Sequence, residues 1–237
     1  MSEKAFLEAY NPKDHDSPLV TVDAVLFTFH EGALKVLLVE RANHPDRGKW
    51  CLPGGFVDMQ ADENLEETVI RKVKEKTGVA PPYIDQLATM GNSKRDKRGW
   101  SVTVCYTALI GYQVCEAGIS TVQDAQWFDI AGLDRISLAF DHQELIRIGV
   151  ERLRQKALYS IVPAYTLPDK FTLPELQHVH EVLLGKPLQK KSFRRRIEQA
   201  DLLIDTGQQR TERGRPATLY RMRKHSGDHR FVANLRE

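Results

Sequence analysis

The chain has 237 residues, 41% hydrophobic, 28% charged and 8% aromatic, which excludes collagen-like, mucin-like and fully disordered classes and suits two domains. Cys51, Cys105 and Cys115 are too few and too widely spaced for a disulfide framework or a zinc ribbon. No run reaches the roughly 18 apolar residues of a membrane span, so a soluble cytoplasmic protein with no membrane partner is predicted.

The first residues are polar and lack the apolar core of a secretory leader. Leu19–Phe29 and Leu34–Glu40 are rich in β-branched and aromatic residues around the turn-like His30-Glu31-Gly32, which predicts a β-hairpin. A loop over Asn43–Trp50 follows. Asn64–Thr77 places Leu65, Val69 and Val73 on one helical face, and Gly78 is a C-terminal stop. Ser101–Ile110 and Thr121–Ile130 are expected strands, and Phe140–Leu158 an expected helix. Strands, a central helix and more strands predict an α/β domain over residues 1–158.

Ile161–Lys170 contains Pro163 and Pro168 and is expected to be the linker into a second domain, residues 159–237. Thr172-Leu173-Pro174-Glu175 reads as a capping box with proline just inside the helix. That helix runs to Gly185, and a basic helix from Gln189 to about Asp201 follows a short connection. Leu202–Asp205 and Thr218–Arg223 are expected to flank a long Gly/Arg-rich loop. Helix, turn, basic helix and β-hairpin predict a winged helix-turn-helix.

Charge is divided along the chain. Residues 1–150 carry 16 Lys and Arg against 22 Asp and Glu, whereas residues 151–237 carry 18 against 10. A basic module on an acidic one suits a nucleic-acid binder with a separate sensing or catalytic domain. On the basic helix, Phe193, Ile197 and Ala200 share an inner face, Lys191 and Arg195 lie opposite, and Arg194 flanks them. Arginine and lysine offered this way suit guanine edges and phosphates of double-stranded DNA. The candidate DNA-binding residues are Lys190, Lys191, Ser192, Arg194, Arg195 and Arg196 on the helix, with Arg210, Arg213 and Arg215 at the hairpin tip. The alternative is an exposed basic helix without a partner.

Gly54-Gly55-Phe56-Val57-Asp58, Glu63 and Arg71-Lys72-Val73-Lys74-Glu75-Lys76-Thr77-Gly78-Val79 resemble the Nudix box of hydrolases acting on nucleoside diphosphates linked to another group. Glu63 matches the early glutamate of that pattern only with two extra loop residues. Three carboxylates at i, i+3 and i+4 would gather Mg²⁺, but this chain has Lys72, Glu75 and Lys76 there. An ammonium about 5 Å from a divalent cation is opposed by roughly 7 kcal/mol at an effective dielectric near 20. No metal site and no catalytic residue are therefore expected, and the lysines are candidate fixed charges for a pyrophosphate. Solvated surface lysines are the alternative.

Lys94-Arg95-Asp96-Lys97-Arg98-Gly99 and Ala139-Phe140-Asp141-His142 resemble segments of Nudix proteins that bind ADP-ribose. Arg98 suits bidentate phosphate contact, and Trp50 or Phe56 suits stacking on adenine. Trp50 and Phe56 as core fillers, and His142 as an unliganded residue near a helix start, stay open. The candidate effector-binding set is Arg41, Trp50, Phe56, Arg71, Lys72, Glu75, Lys76, Arg98 and His142.

With Gly214-Arg215-Pro216-Ala217 in the wing, the whole resembles the Nudix-related transcriptional regulator family NrtR. The resemblance implies a homodimeric repressor of genes of NAD biosynthesis and salvage. It implies a palindromic operator, released on binding ADP-ribose, with no cofactor required. An active pyrophosphatase on ADP-ribose or a related nucleoside diphosphate, and a constitutive DNA-binding adaptor, are the alternatives.

Overall fold

A computed structural model describes residues 1–115, 117–211 and 216–231. The predicted hairpin is β1 (Leu19–His30) and β2 (Ala33–Arg41), antiparallel. Short strands β3 (Trp50–Cys51) and β4 (Gly54–Phe56) follow, then β5 (Tyr83–Asn92), β6 (Ser101–Leu109) and β7 (Val122–Asp129). They form one seven-stranded sheet ordered β3-β2-β1-β6-β5, with β4 against β1 and β7 against β2. Only the β1–β6 pairing among these is parallel, from Leu19↔Ser101 to Phe27↔Leu109.

The continuous burial of β1 from Thr21 to Phe29 follows from packing on both faces. Val22, Ala24 and Leu26 pack with Val69 and Val73 of α2 (Leu65–Thr77). Val25, Phe27 and Phe29 pack with Leu145, Val150 and Leu153 of α3 (His142–Tyr159). Helix, sheet and helix are thus stacked as an α/β/α sandwich. Asn64 caps α2 through its side chain, and Gly78 ends it in the left-handed region at φ 71°, where a side chain would be strained. α1 (Glu3–Ala9) was not expected from the polar leader and buries no residue.

The second unit is a winged helix. It contains β8 (Phe171–Thr172), α4 (Leu173–Leu184), α5 (Lys190–Ala200), β9 (Leu203–Arg210) and β10 (Ala217–Met222), with the strands ordered β8-β10-β9. The capping box forms reciprocally between Thr172 and Glu175.

Two expectations are corrected. The Ile161–Lys170 linker does not hang free between the units: within it Val162–Thr166 is a largely buried 3-10 turn, and Ile161, Val162, Ala164 and Leu167 join the cluster that runs from Leu153 to Leu176 and Phe193. Apolar side chains between the prolines gain more from that burial than the chain gains from freedom. The hairpin loop is also shorter than expected, because β9 continues to Arg210, paired with Ala217.

Candidate functional site

A cleft of about 390 Å³ opens between α2, the sheet and the loops after β2 and β5. Of the predicted effector residues it brings together Arg41, Phe56, Lys72, Lys76, Arg98 and His142. Its lining has five cationic side chains, Arg41, Lys72, Lys76, Arg95 and Arg98, against two carboxylates, Asp23 and Asp96. That balance suits an anion.

All of these cations but Lys76 are held by a neighbour. Arg98 donates to both oxygens of Asp96, at 2.6 Å from Nη2, and its guanidinium lies 4.8 Å from the centre of the Phe56 ring. Phe56 itself is 42% exposed, so part of its side chain is open to a ligand. Arg41 donates to the Pro45 carbonyl at 2.8 Å and lies 4.7 Å over Phe140. Lys72 Nζ sits 3.4 Å from Glu75. Lys76 has no carboxylate within ion-pair distance among the described residues, and burial lowers its pKa.

Beneath the cleft lies a buried network. Arg95 Nε and Nη2 each donate to Asp141 at 3.0 Å, and Asp23 Oδ2 accepts from Thr103 Oγ1 at 2.7 Å. His142 Nδ1 accepts the Leu52 N–H at 2.9 Å. Burial also lowers the His142 pKa, so the ring is neutral at pH 7 and carries its proton on Nε2, toward Asp23.

Three expected effector residues lie outside the lining. Trp50 packs edge-on to Phe128, with ring centres 4.7 Å apart. Arg71 is taken up by Asp62 and by Glu75, at 2.9 Å from the latter, and holds both carboxyls below their ordinary range. Glu75 is thereby shared between Arg71 and Lys72 and is not part of the cleft's lining. Among the described residues no group of three His, Cys, Asp or Glu stands together as a metal site. Arg95, Asp96, Phe140 and Asp23 are added by the structure. Asp23 had a visible signal, a lone carboxylate inside the apolar run of β1, which demands a partner or a ligand.

On α5, Phe193 and Ile197 are buried while Lys190, Lys191 and Arg195 are exposed and Ser192, Arg194 and Arg196 half-buried. Gln189 caps the helix by accepting the Ser192 N–H at 2.6 Å. Arg210 ends β9 and pairs with Glu175, so it braces the wing against α4 rather than standing at the hairpin tip. Arg213 and Arg215 lie outside the described residues.

Residues 17–147 match the NUDIX domain family and residues 163–222 the NrtR DNA-binding winged helix domain. The chain is 43% identical over 234 residues to the ADPR responsive transcriptional repressor NtrR of Acinetobacter baylyi, covering 99% of this chain and 94% of that protein. This chain belongs to the NrtR family. Shewanella oneidensis NrtR, solved in complex with a 27mer DNA, is 63% identical, with a TM-score of 0.85 over 91% of this chain and 98% of that one. The NUDIX domain of the same NrtR, solved with ADP ribose, is 57% identical, with a TM-score of 0.63 over 65% of this chain and 99% of that one. Among the described residues of this NrtR-family chain no helix is long and apolar enough to cross a membrane.

Proposed function

We propose that this chain is a DNA-binding repressor whose cleft takes ADP-ribose as a signal and not as a substrate. Residues 1–158 sense the effector and residues 159–237 read a palindromic operator as a homodimer at genes of NAD biosynthesis and salvage. Occupancy of the cleft releases the DNA.

The observation that carries this reading is the sign of the charge on α2. Where metal-dependent hydrolases of this fold would hold Mg²⁺, Lys72 and Lys76 line the cleft and Glu75 is paired with Arg71 and Lys72. These residues do not fit a divalent cation. They do fit the pyrophosphate itself, which meets Lys72, Lys76, Arg41 and Arg98 as fixed positive charge. Phe56 offers its exposed part to the adenine.

Coupling to DNA requires that the effector favour one arrangement of the two units over another. The packing described above replaces a free hinge by contact. α4 leans on the β1–β2 hairpin through His178 against Phe29, with ring centres 5.5 Å apart, and His180 stacks edge-on to Phe193 of α5 at 5.3 Å. A shift of β1 and β2 around an occupied cleft is passed to α4 and α5 as a rigid displacement. Two recognition helices in a dimer must stay about 34 Å apart along DNA, so a small displacement suffices. A coupling of about 1–3 kcal/mol changes operator affinity roughly 5- to 150-fold.

The test is an operator-binding titration with and without ADP-ribose, beside a Mg²⁺-dependent hydrolysis assay on the same sample. The expected result is weakened DNA binding and no turnover. Operator binding indifferent to ADP-ribose, or efficient turnover, rejects the reading.

A further inference from the structure

The five cations of the cleft would hold any polyphosphate of suitable size, so they do not explain how one nucleotide diphosphate is told from another. Of its two carboxylates, Asp96 is consumed by Arg98 through both oxygens. Asp23 is different. It is 6% exposed, and Oδ2 accepts from Thr103 at 2.7 Å. Among the described residues no side chain donates a hydrogen bond to Oδ1: His142 Nε2 is 3.7 Å from it, and Arg95 Nη2, on the other side of the carboxylate, is 3.7 Å from Oδ2. Neither is a hydrogen-bond distance, so one lone acceptor oxygen is left at the floor of an otherwise donor-rich cleft.

Gly54 keeps that oxygen accessible. A Cβ at this position would stand 2.3 Å from Asp23 Oδ1 and 2.3 Å from the Val22 carbonyl. The next residue, Gly55, has the Lys72 side chain 3.3 Å from where its Cβ would be. The acceptor therefore lies near Lys72, whose side chain flanks the adjacent glycine, and it is buried whereas Phe56 is exposed. A group that donates a hydrogen bond next to a phosphate, on the side away from the base, is a sugar hydroxyl.

We propose that Asp23 is the specificity-determining residue of the cleft, its Oδ1 accepting a hydrogen bond from a hydroxyl of the sugar on the far side of the pyrophosphate from the base. This rests on the reading of the cleft as a nucleotide-effector site. Asp23 thereby separates nucleoside diphosphates that end in a free sugar from those that end in phosphate.

The experiment measures binding of ADP-ribose and of ADP to the full-length chain and to Asp23→Asn by calorimetry. A hydrogen bond to a charged acceptor is worth about 10- to 100-fold in affinity, so the unaltered chain prefers ADP-ribose by that factor. In Asp23→Asn the preference falls to within about 3-fold. It does so because ADP-ribose binds more weakly while ADP, now free of a nearby negative charge, binds as well or better. Thr103→Val keeps the carboxylate but frees its second oxygen, and gives an intermediate preference if Asp23→Asn does not fold. Equal loss of both ligands in Asp23→Asn marks a merely structural role and overturns the proposal. A preference retained in Asp23→Asn overturns it while leaving the effector reading intact. An unaltered chain that binds neither ligand overturns both.

Discussion

The chain carries two cationic surfaces built on opposite principles. In the cleft, Arg95, Arg98, Arg41 and Lys72 are each leaned on by a carboxylate, a carbonyl or an aromatic ring, so their positions are fixed before a ligand arrives. On α5, Lys190, Lys191 and Arg195 project into solvent over the buried Phe193 and Ile197, and make no ion pair with a described residue. The first arrangement suits one small anion, matched by geometry. The second suits an extended polyanion, whose binding would gain from counterion release.

Salt separates the two most sharply. Operator affinity is expected to fall about a thousandfold or more between 50 and 200 mM salt, whereas effector affinity falls less than about tenfold, because half-buried charges are poorly screened. Parallel salt series by fluorescence anisotropy and calorimetry check this. Equal slopes would erase the distinction between the surfaces.

Mutations on α5 divide its inner from its outer face. Phe193→Ala removes a fully buried ring shared with His180 and is expected to cost about 3–5 kcal/mol of stability, read as a fall in denaturation midpoint. Arg195→Ala leaves that midpoint nearly unchanged and lowers operator affinity about 10- to 100-fold. Since the core is continuous from Leu153 to Phe193, the Phe193 variant should also blunt the response to effector, and Arg195→Ala should not.

How much of this was legible depended on whether a residue's partner lay nearby in sequence. Helix α2 was readable because Asn64, its apolar stripe and Gly78 are local signals, and the capping box of α4 likewise. The edge strand β5 gave no clear pattern because every residue but Leu87 is half-buried or exposed and a bulge near Leu87 breaks its alternation. Two prolines suggested a linker where apolar residues between them supply core. In the cleft, the wrong sign of Lys72 and Lys76 was visible at once. The network Asp23–Arg95–Asp141 was not, since its members come from three separated segments. Trp50 and Arg71 show the converse error. Nothing in a lone tryptophan tells a stacking platform from a core filler, and Asp62, nine residues before Arg71, occupies that guanidinium through a loop of irregular length.

Titration gives a smaller contrast, of opposite sign for folding and binding. Lys76 has a lowered pKa through burial, so the folded chain binds fewer protons than the unfolded one just below the ordinary lysine value. Its contribution to stability is present above that value and lost as pH falls through the lowered folded value. A pyrophosphate favours the charged ammonium, so effector affinity should instead fall as pH rises through the same window, by up to about tenfold per unit. Calorimetry in two buffers of different ionisation heat should show proton uptake on binding in the alkaline range. Lys76→Arg should abolish the uptake, since a guanidinium stays charged there.

The smallest effect concerns the two loops that contribute to the cleft's lining. Asp46, in the loop after β2, accepts from Lys97 in the loop after β5 at 3.0 Å, and Lys49 lies 3.0 Å from the same oxygen. Both lysines hold the Asp46 carboxyl below its ordinary range. Because Lys97 is 73% exposed and Lys49 remains when it is removed, Lys97→Ala should cost less than about 1 kcal/mol of stability. What it loses is the only ion pair, among the described residues, that ties these two loops together. The equilibrium constant for the effector should therefore change less than the rates, with association and dissociation both quickened a few-fold in stopped-flow measurements. Operator binding by Lys97→Ala without effector should match that of the unaltered chain, because among the described residues the clasp makes no ion pair or hydrogen bond with the winged helix. A change there would mean that charge on these loops reaches the DNA directly, and the two surfaces would have to be treated as one field.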